Sequence, residues 1–325
     1  MIGPEAQLTI VIPVRNDAAR LRLCLATIAK NGAGSHVVVA DNGSTDDSAD
    51  VAASAGATVL PLPRYRVGEL RNIAAASTSS PLIGFVDADH LIDPDWVQTA
   101  LNIFADQRIA AAGAPYSPDE SANWVQRAYD RFRPILRGPE PAEWLGSGNL
   151  IIRREAFQRV GGFDASLQSC EDVDLCNRLR GAGFHILAEP KLRSVHLGDP
   201  ATLRALFLGE LWRGRDNIKV TLRGPVTRRA LPSLAIPVID LAALLVIAAG
   251  AWTGLRAAAA AFVVVAALAG VRAVKMTVGR AQLTAADVAA NVIVATVYDL
   301  ARALSLVTRA THRTRRETAG ERAVA

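Results

Sequence analysis

The sequence is poor in cysteine. Its 325 residues carry three, Cys24, Cys170 and Cys176, an odd number with no paired spacing of the zinc-site kind. That argues against a disulfide framework and a cysteine zinc site, and it implies free thiols in a reducing compartment. The start, Met1-Ile2-Gly3-Pro4-Glu5, lacks a basic segment followed by an apolar core, so no cleaved signal peptide is expected and the first domain is expected to stay in the cytoplasm. A glycine-rich phosphate loop is also missing near the first β-rich run. Pro13-Val14-Arg15-Asn16 stands there instead, which disfavours a nucleotidyltransferase. Nucleic acid is not expected as a partner.

What the chain has in quantity is apolar residues: half of it is hydrophobic and the mean hydropathy is +0.21, so membrane segments are expected. From Leu231 the composition changes. Leu234 to Trp252 is apolar but for Asp240 and a proline, and Ala257 to Val271 is apolar throughout. The short connector Thr253-Gly254-Leu255-Arg256 predicts a helical hairpin over residues 226–280, with a buried hairpin of a soluble protein as the alternative. Arginines precede the two apolar runs (Arg213, Arg215, Arg223, Arg228, Arg229), and Arg272, Lys275 and Arg280 follow them, so both flanks are expected on the cytoplasmic side. Over residues 281–308, Asp287, Asn291, Tyr298 and Arg302 recur at helical spacing against Val288, Ile293, Val297 and Leu304. This predicts an amphipathic helix in the membrane interface rather than a third span. The basic tail, 309–325, is expected to be disordered and held to anionic lipid.

Before this region, in residues 1–225, strands alternate with helices. Leu8–Val14 is a β-rich run ending near Pro13, followed by a helix that Asn16 or Asp17 caps. Val37-Val38-Val39-Ala40 leads into Asp41-Asn42-Gly43-Ser44-Thr45-Asp46-Asp47, where Ser44 or Thr45 caps the next helix. Thr58-Val59-Leu60 and the helix around Arg71-Asn72 make a third unit. Such alternation predicts a mostly parallel sheet flanked by helices, a Rossmann-like α/β fold.

The strand Leu82-Ile83-Gly84-Phe85-Val86 ends in Asp87-Ala88-Asp89-His90. Open α/β sheets bind ligands at that edge, and residues i and i+2 of an extended chain face the same way. Asp87 and Asp89 are thus candidates to hold one Mg²⁺ or Mn²⁺ that carries a phosphate; a solvated loop is the alternative.

Four pieces in this order, Val11-Ile12-Pro13-Val14-Arg15-Asn16, Asp41 to Asp46, Arg71-Asn72 and Asp87-Ala88-Asp89, make the chain resemble a family 2 glycosyltransferase of the GT-A fold over roughly residues 7–220. The resemblance implies a nucleotide-sugar donor, an inverting transfer and a divalent metal, Mg²⁺ or Mn²⁺. It implies that Pro13, Arg15, Asn16 and Asp41 cradle the nucleotide, that Arg71 approaches it, that Asp89 binds the metal, and that Asp87 shares the metal or faces the sugar. Arg15 departs from the pattern, since relatives often carry an aromatic residue there; a guanidinium also stacks on a flat ring.

The glycine-marked turn Gly146-Ser147-Gly148-Asn149 permits close backbone approach, and in the family this segment, with Gly148, lines the donor and acceptor pocket. Cys170-Glu171-Asp172-Val173-Asp174 reads as an acidic helix start, which alone favours the positive end of the dipole. The resemblance makes Asp172 the general base and Glu171 its support, and it sets His196 near the metal. Arg213 and Arg215 are candidates for diphosphate or for acidic lipid. The membrane hairpin suggests a lipid-linked or cell-envelope glycan acceptor at the cytoplasmic face of the plasma membrane. A non-catalytic scaffold that binds nucleotide sugar or glycan is the alternative.

Overall fold

The computed structural model describes residues 7–31, 34–225, 227–280 and 282–308. The chain divides into two compact units, Met1–Asp199 with Leu222–Pro225, and Pro200–Thr221 with Val226–Ala325.

The first unit runs β1 (Leu8–Val14), α1 (Ala18–Asn31), β2 (His36–Asp41), α2 (Ser48–Ser54), β3 (Thr58–Pro61), α3 (Val67–Ala76), β4 (Leu82–Val86), β5 (His90–Ile92), α4 (Trp96–Ile103), β6 (Ile109–Gly113), β7 (Ser117–Pro118), α5 (Trp124–Asp130), β8 (Glu140–Pro141), β9 (Asn149–Arg153), α6 (Arg154–Arg159), α7 (Glu171–Gly181), β10 (His185–Ala188) and β11 (Ser194–His196). The main sheet has the order β3-β2-β1-β4-β9-β6-β10-β8, and a small sheet the order β5-β11-β7. From β3 to β4 the pairing is parallel, as the alternation of strand and helix predicts. Beyond β4 the sheet is mixed: β9 runs antiparallel to both β4 and β6, and β8 is antiparallel to β10.

The sheet separates two apolar layers. Period-two alternation sends Leu8, Ile10, Ile12 and Val14 of β1 to the layer of α1 and α4, and Val11 to the layer of α3 and α7. Pro13 lies within β1, beyond Val11, the last residue paired to β4, and pairs only with Ala40 of β2. A proline is tolerated where the ladder on one side has ended. Gly84 in β4 is required by packing, because a β-carbon there would lie 3.0 Å from the buried Trp96 ring.

Asp17 stands at the entry of α1, its carbonyl accepting from Leu21 N–H (2.9 Å), while Ala18 N–H donates to Asp46 Oδ2 (3.2 Å). Ser44 caps no helix but accepts from Asn16 N–H (3.0 Å), and Asn16 Oδ1 accepts from Thr45 N–H (2.7 Å). The loops after β1 and β2 are therefore fastened to each other. Asn16 holds φ 53°, the left-handed region that asparagine tolerates better than most residues.

The second unit contains α8 (Leu203–Arg213), most of α9 (Asn217–Arg223), α10 (Leu231–Ala248), α11 (Gly250–Thr253), α12 (Leu255–Lys275) and α13 (Ala285–Ser305). Three of these, α10, α12 and α13, are long and apolar enough to cross a membrane by length and composition. The expected pair thus gains a third candidate. The polar positions of α13 turn inward: Asn291 and Asp299 are buried, Arg272 pairs with Asp299 (2.7 Å) and Arg302 with Glu210 (2.8 Å), while Val288, Val292 and Ile293 stay exposed. The polar spacing on α13 thus serves ion pairs within the unit. Residues 309–325, the expected disordered tail, lie outside the described residues.

Candidate active site

The two acids at the end of β4 part company. The strand stops at Val86, and His90 N–H donates to Asp87 O (3.0 Å), so a turn replaces the extended chain that would aim both carboxylates one way. Asp87 Oδ1 meets Arg71 Nη2 at 2.6 Å. Asp89 instead lies 3.4 Å from Arg20 and 3.4 Å from His196 Nε2. Asp87 Oδ1 is engaged by Arg71, whereas Asp89 groups with His90 and His196.

Asp89 gathers with two imidazoles. The register of β5 and β11 puts His90 directly opposite His196, with ring centroids 4.7 Å apart, and one ligand atom from each of Asp89, His90 and His196 lies within 4.8 Å of the others. Each ring's Nδ1 is already engaged, His90 with Ser194 Oγ (2.9 Å) and His196 with Asp199 Oδ1 (2.7 Å). That makes Nε2 of each ring the atom to offer a metal, and His196 Nε2 already lies 3.4 Å from the Asp89 carboxylate. Glycines make the space: a β-carbon at Gly198 would overlap Asp89 Oδ2, and one at Gly148 would lie 3.0 Å from His90 Nε2. One carboxylate and two imidazoles are a donor set suited to a manganese-class ion, so the residues fit the metal that the resemblance implies.

Electrostatics in the cluster are strong. Burial opposes charge on Asp89, yet His196, His90 and Arg20 together hold it well below the usual carboxylate range. Burial likewise opposes the His196 imidazolium, and Asp89 and Asp199 overcome it, raising the ring to about 9. His90 goes the other way, down to about 4, through burial and the neighbouring His196 charge.

A second cluster begins at Arg71. Its side chain is 3% exposed, and it donates through Nη2 to Asp87 and through Nη1 to Glu171 Oε1 (2.9 Å). Arg71 is thus taken up by two carboxylates. Glu171 opens α7, whose preceding Cys170 adopts φ 60°, and Ser147 Oγ contacts it from the glycine turn at 3.5 Å. Asp172 is half-buried beside it and accepts from Val173 N–H (2.8 Å). Burial and the like charge of Glu171 push the Asp172 carboxyl up, the direction that suits a proton acceptor working near neutral pH.

The glycine turn serves these carboxylates. Asp87 N–H donates to Gly148 O (3.2 Å), and a β-carbon at Gly148 would lie 2.7 Å from Asp87 Oδ2. At the ends of β1 and β2, Asp41 is buried and accepts from Ser44 N–H (3.2 Å), Pro13 is half-buried, and Arg15 is exposed. Arg213 and Arg215 belong to the second unit, where Arg213 pairs with Glu210 (3.0 Å). Sequence reasoning missed His90, Arg20, Asp199 and Arg133. Of these only His90 carried a local signal, as the residue following Asp89.

Residues 9–161 match the family model described as Glycosyl transferase family 2. A pre-mycofactocin glycosyltransferase of Mycobacterium tuberculosis is 31% identical over 210 residues, 60% of this chain and 43% of its own length. The succinoglycan biosynthesis protein ExoA of Rhizobium meliloti is 29% identical over 262 residues, 73% of this chain and 78% of its own length. Among solved structures, the mannosyltransferase PcManGT from Pyrobaculum calidifontis, in complex with GDP-Man and Mn²⁺, matches with a TM-score of 0.66 at 18% identity, over 94% of this chain and 88% of its own. The chain spans less than half the length of the first of these relatives. The resemblance to family 2 glycosyltransferases and the GT-A-like α/β fold are both borne out.

Proposed function

We propose that this chain is an inverting, metal-dependent glycosyltransferase that moves a sugar from a nucleotide-sugar donor to an acceptor hydroxyl. The observation that carries the proposal is the junction at Arg71, which ties Asp87, at the end of the central strand, to Glu171 beside the raised carboxyl of Asp172. Asp172 accepts the proton of the acceptor hydroxyl while its oxygen bonds to the anomeric carbon from the face opposite the leaving group. The bond from that carbon to the diphosphate oxygen breaks, its electron pair leaves with the nucleoside diphosphate, and the configuration inverts. Glu171, held by Arg71, keeps the start of α7 in position. A divalent ion, when bound by Asp89, His196 and His90, supplies charge stabilisation for the departing diphosphate. Mn²⁺ is favoured by the nitrogen-rich donor set and by the Mn²⁺ named with the mannosyltransferase of similar fold.

Pro13, Arg15, Asn16 and Asp41, in the joined loops after β1 and β2, are assigned to the nucleotide, and Asp87 with Gly148 to the donor sugar. Arg213 and Arg215 are assigned to diphosphate or acidic lipid. The helical unit attaches the enzyme to the plasma membrane with residues 1–225 on the cytoplasmic side, α10 and α12 as a hairpin, and α13 beside the interface. A lipid-linked or envelope-glycan acceptor follows from that attachment, and the succinoglycan relative supports it. The test is a screen of nucleotide sugars against membranes containing the chain, with and without Mn²⁺ or Mg²⁺, reading released nucleoside diphosphate. Release from one donor in the presence of metal is expected. Nucleoside diphosphate binding without turnover would favour a binding scaffold instead.

A further inference from the structure

Behind His196 lies a buried ionic assembly centred on Asp199 and Arg133. Asp199, whose side chain is 1% exposed, accepts from His196 Nδ1 at 2.7 Å. It also accepts two bonds from Arg133, Nη2 to Oδ1 at 2.5 Å and Nη1 to Oδ2 at 2.9 Å. The Arg133 guanidinium also pairs with Asp130 (3.1 Å) and lies 4.0 Å over the Tyr116 ring. That ring in turn sits 4.7 Å from His196 and 4.8 Å from His90. Arg133 thus holds the carboxylate behind one imidazole and presses the tyrosine that backs both.

We propose that Asp199 and Arg133 are positioning residues: Asp199 fixes the Nδ1–H tautomer and ring angle of His196 so that Nε2 faces Asp89, and Arg133 fixes Asp199. The proposal rests on the reading of Asp89, His90 and His196 as a metal site. A carboxylate accepts and does not donate, so the bond to Asp199 puts the proton on Nδ1 and leaves Nε2 as the ligand atom. Ligating histidines are held in this way by outer partners, whose loss costs roughly 10–100-fold in metal affinity. Stability alone is a weak reason for burying this ion pair, since apolar replacements of such pairs are often neutral or stabilising. The bidentate fork adds direction, which a point charge would not supply, so Arg133→Lys is not a silent change.

The experiment titrates Mn²⁺ alone into the full-length chain in detergent, reading free Mn²⁺ by electron paramagnetic resonance and coordinated imidazole by nitrogen modulation in the pulsed spectrum. Asp199→Ala is expected to weaken Mn²⁺ binding by about tenfold or more and to reduce the nitrogen modulation. Arg133→Lys is expected to weaken binding in the same direction while leaving Asp199 in place. Asp199→Asn keeps the side-chain shape, so it decides the matter if the alanine variant does not fold, and a severalfold weakening is again expected. Wild-type affinity and modulation in a folded Asp199 variant would overturn the proposal while leaving the metal site standing. No Mn²⁺ binding by the wild-type chain would overturn both.

Discussion

Asp87 and Glu171 share one guanidinium: Arg71 holds the first at 2.6 Å and the second at 2.9 Å from a side chain almost wholly removed from solvent. Removing one partner of a buried ion pair leaves an uncompensated charge, which costs about 3–5 kcal/mol. Arg71→Met is therefore expected to lower the denaturant midpoint of the chain strongly. Combining it with Glu171→Gln is expected to recover part of that loss, as a double-mutant cycle of unfolding free energies will measure.

Asp172 sets the pH dependence. Burial and the Glu171 charge raise its carboxyl to about 7, and a base acts only when deprotonated. kcat/KM is expected to fall as pH drops below about 7, in a profile that Asp172→Asn abolishes together with transfer. The same shift has a stability sign. The folded chain holds this proton more tightly than the unfolded one, whose Asp titrates near ~3.9, so the group costs stability increasingly as pH rises from about 4 to 7. Asp172→Asn is then expected to be more stable than wild type at pH above about 7, read by thermal unfolding.

Gly148 is predicted to be intolerant of a side chain. A β-carbon there meets Asp87 Oδ2 at 2.7 Å and His90 Nε2 at 3.0 Å, so Gly148→Ala must displace one or both. Transfer is expected to fall by about a hundredfold in a chain that still folds, the scale of a 1 Å misplacement at a reacting centre. Steady-state rates beside a circular dichroism spectrum check it.

Metal removal follows from the Asp89, His90 and His196 cluster. Chelation is expected to stop transfer and Mn²⁺ to restore it, whereas Asp89→Asn is expected to stay inactive at any Mn²⁺ concentration. His90→Ala is expected to raise the Mn²⁺ concentration needed for half-maximal rate by about tenfold or more, the scale seen when even an outer partner of a metal ligand is lost.

The first half of the sheet was legible because each β-branched run ends in a short polar loop and a helix, a pattern that implies parallel neighbours. The insertion of antiparallel β9 between β4 and β6 was not, since Leu150, Ile151 and Ile152 are buried on both faces whichever way the strand runs. Asp89, Asp172 and Glu171 were readable as acids ending a strand or opening a helix. His90 lay next to Asp89 in the sequence, but only the pairing of β5 with β11 turns it toward His196. Arg133 and Asp199 carry no local signal at all. Their meeting depends on tertiary contacts between distant segments, which also took Ser44 and Asn16 away from the helix caps and spent them on each other.

The helical unit gives a separate prediction. With α10, α12 and α13 all long and apolar enough to span, the full-length chain is expected to remain in the membrane fraction after alkaline carbonate extraction, and its release into the supernatant would count against membrane insertion.

The central claim is most directly tested by measuring nucleoside diphosphate released from a panel of nucleotide sugars by membranes bearing wild type, Asp172→Asn or Asp89→Asn, each with and without Mn²⁺. Wild type is expected to release nucleoside diphosphate from one donor only with metal, and neither variant above background. Release by Asp172→Asn equal to wild type would contradict that claim.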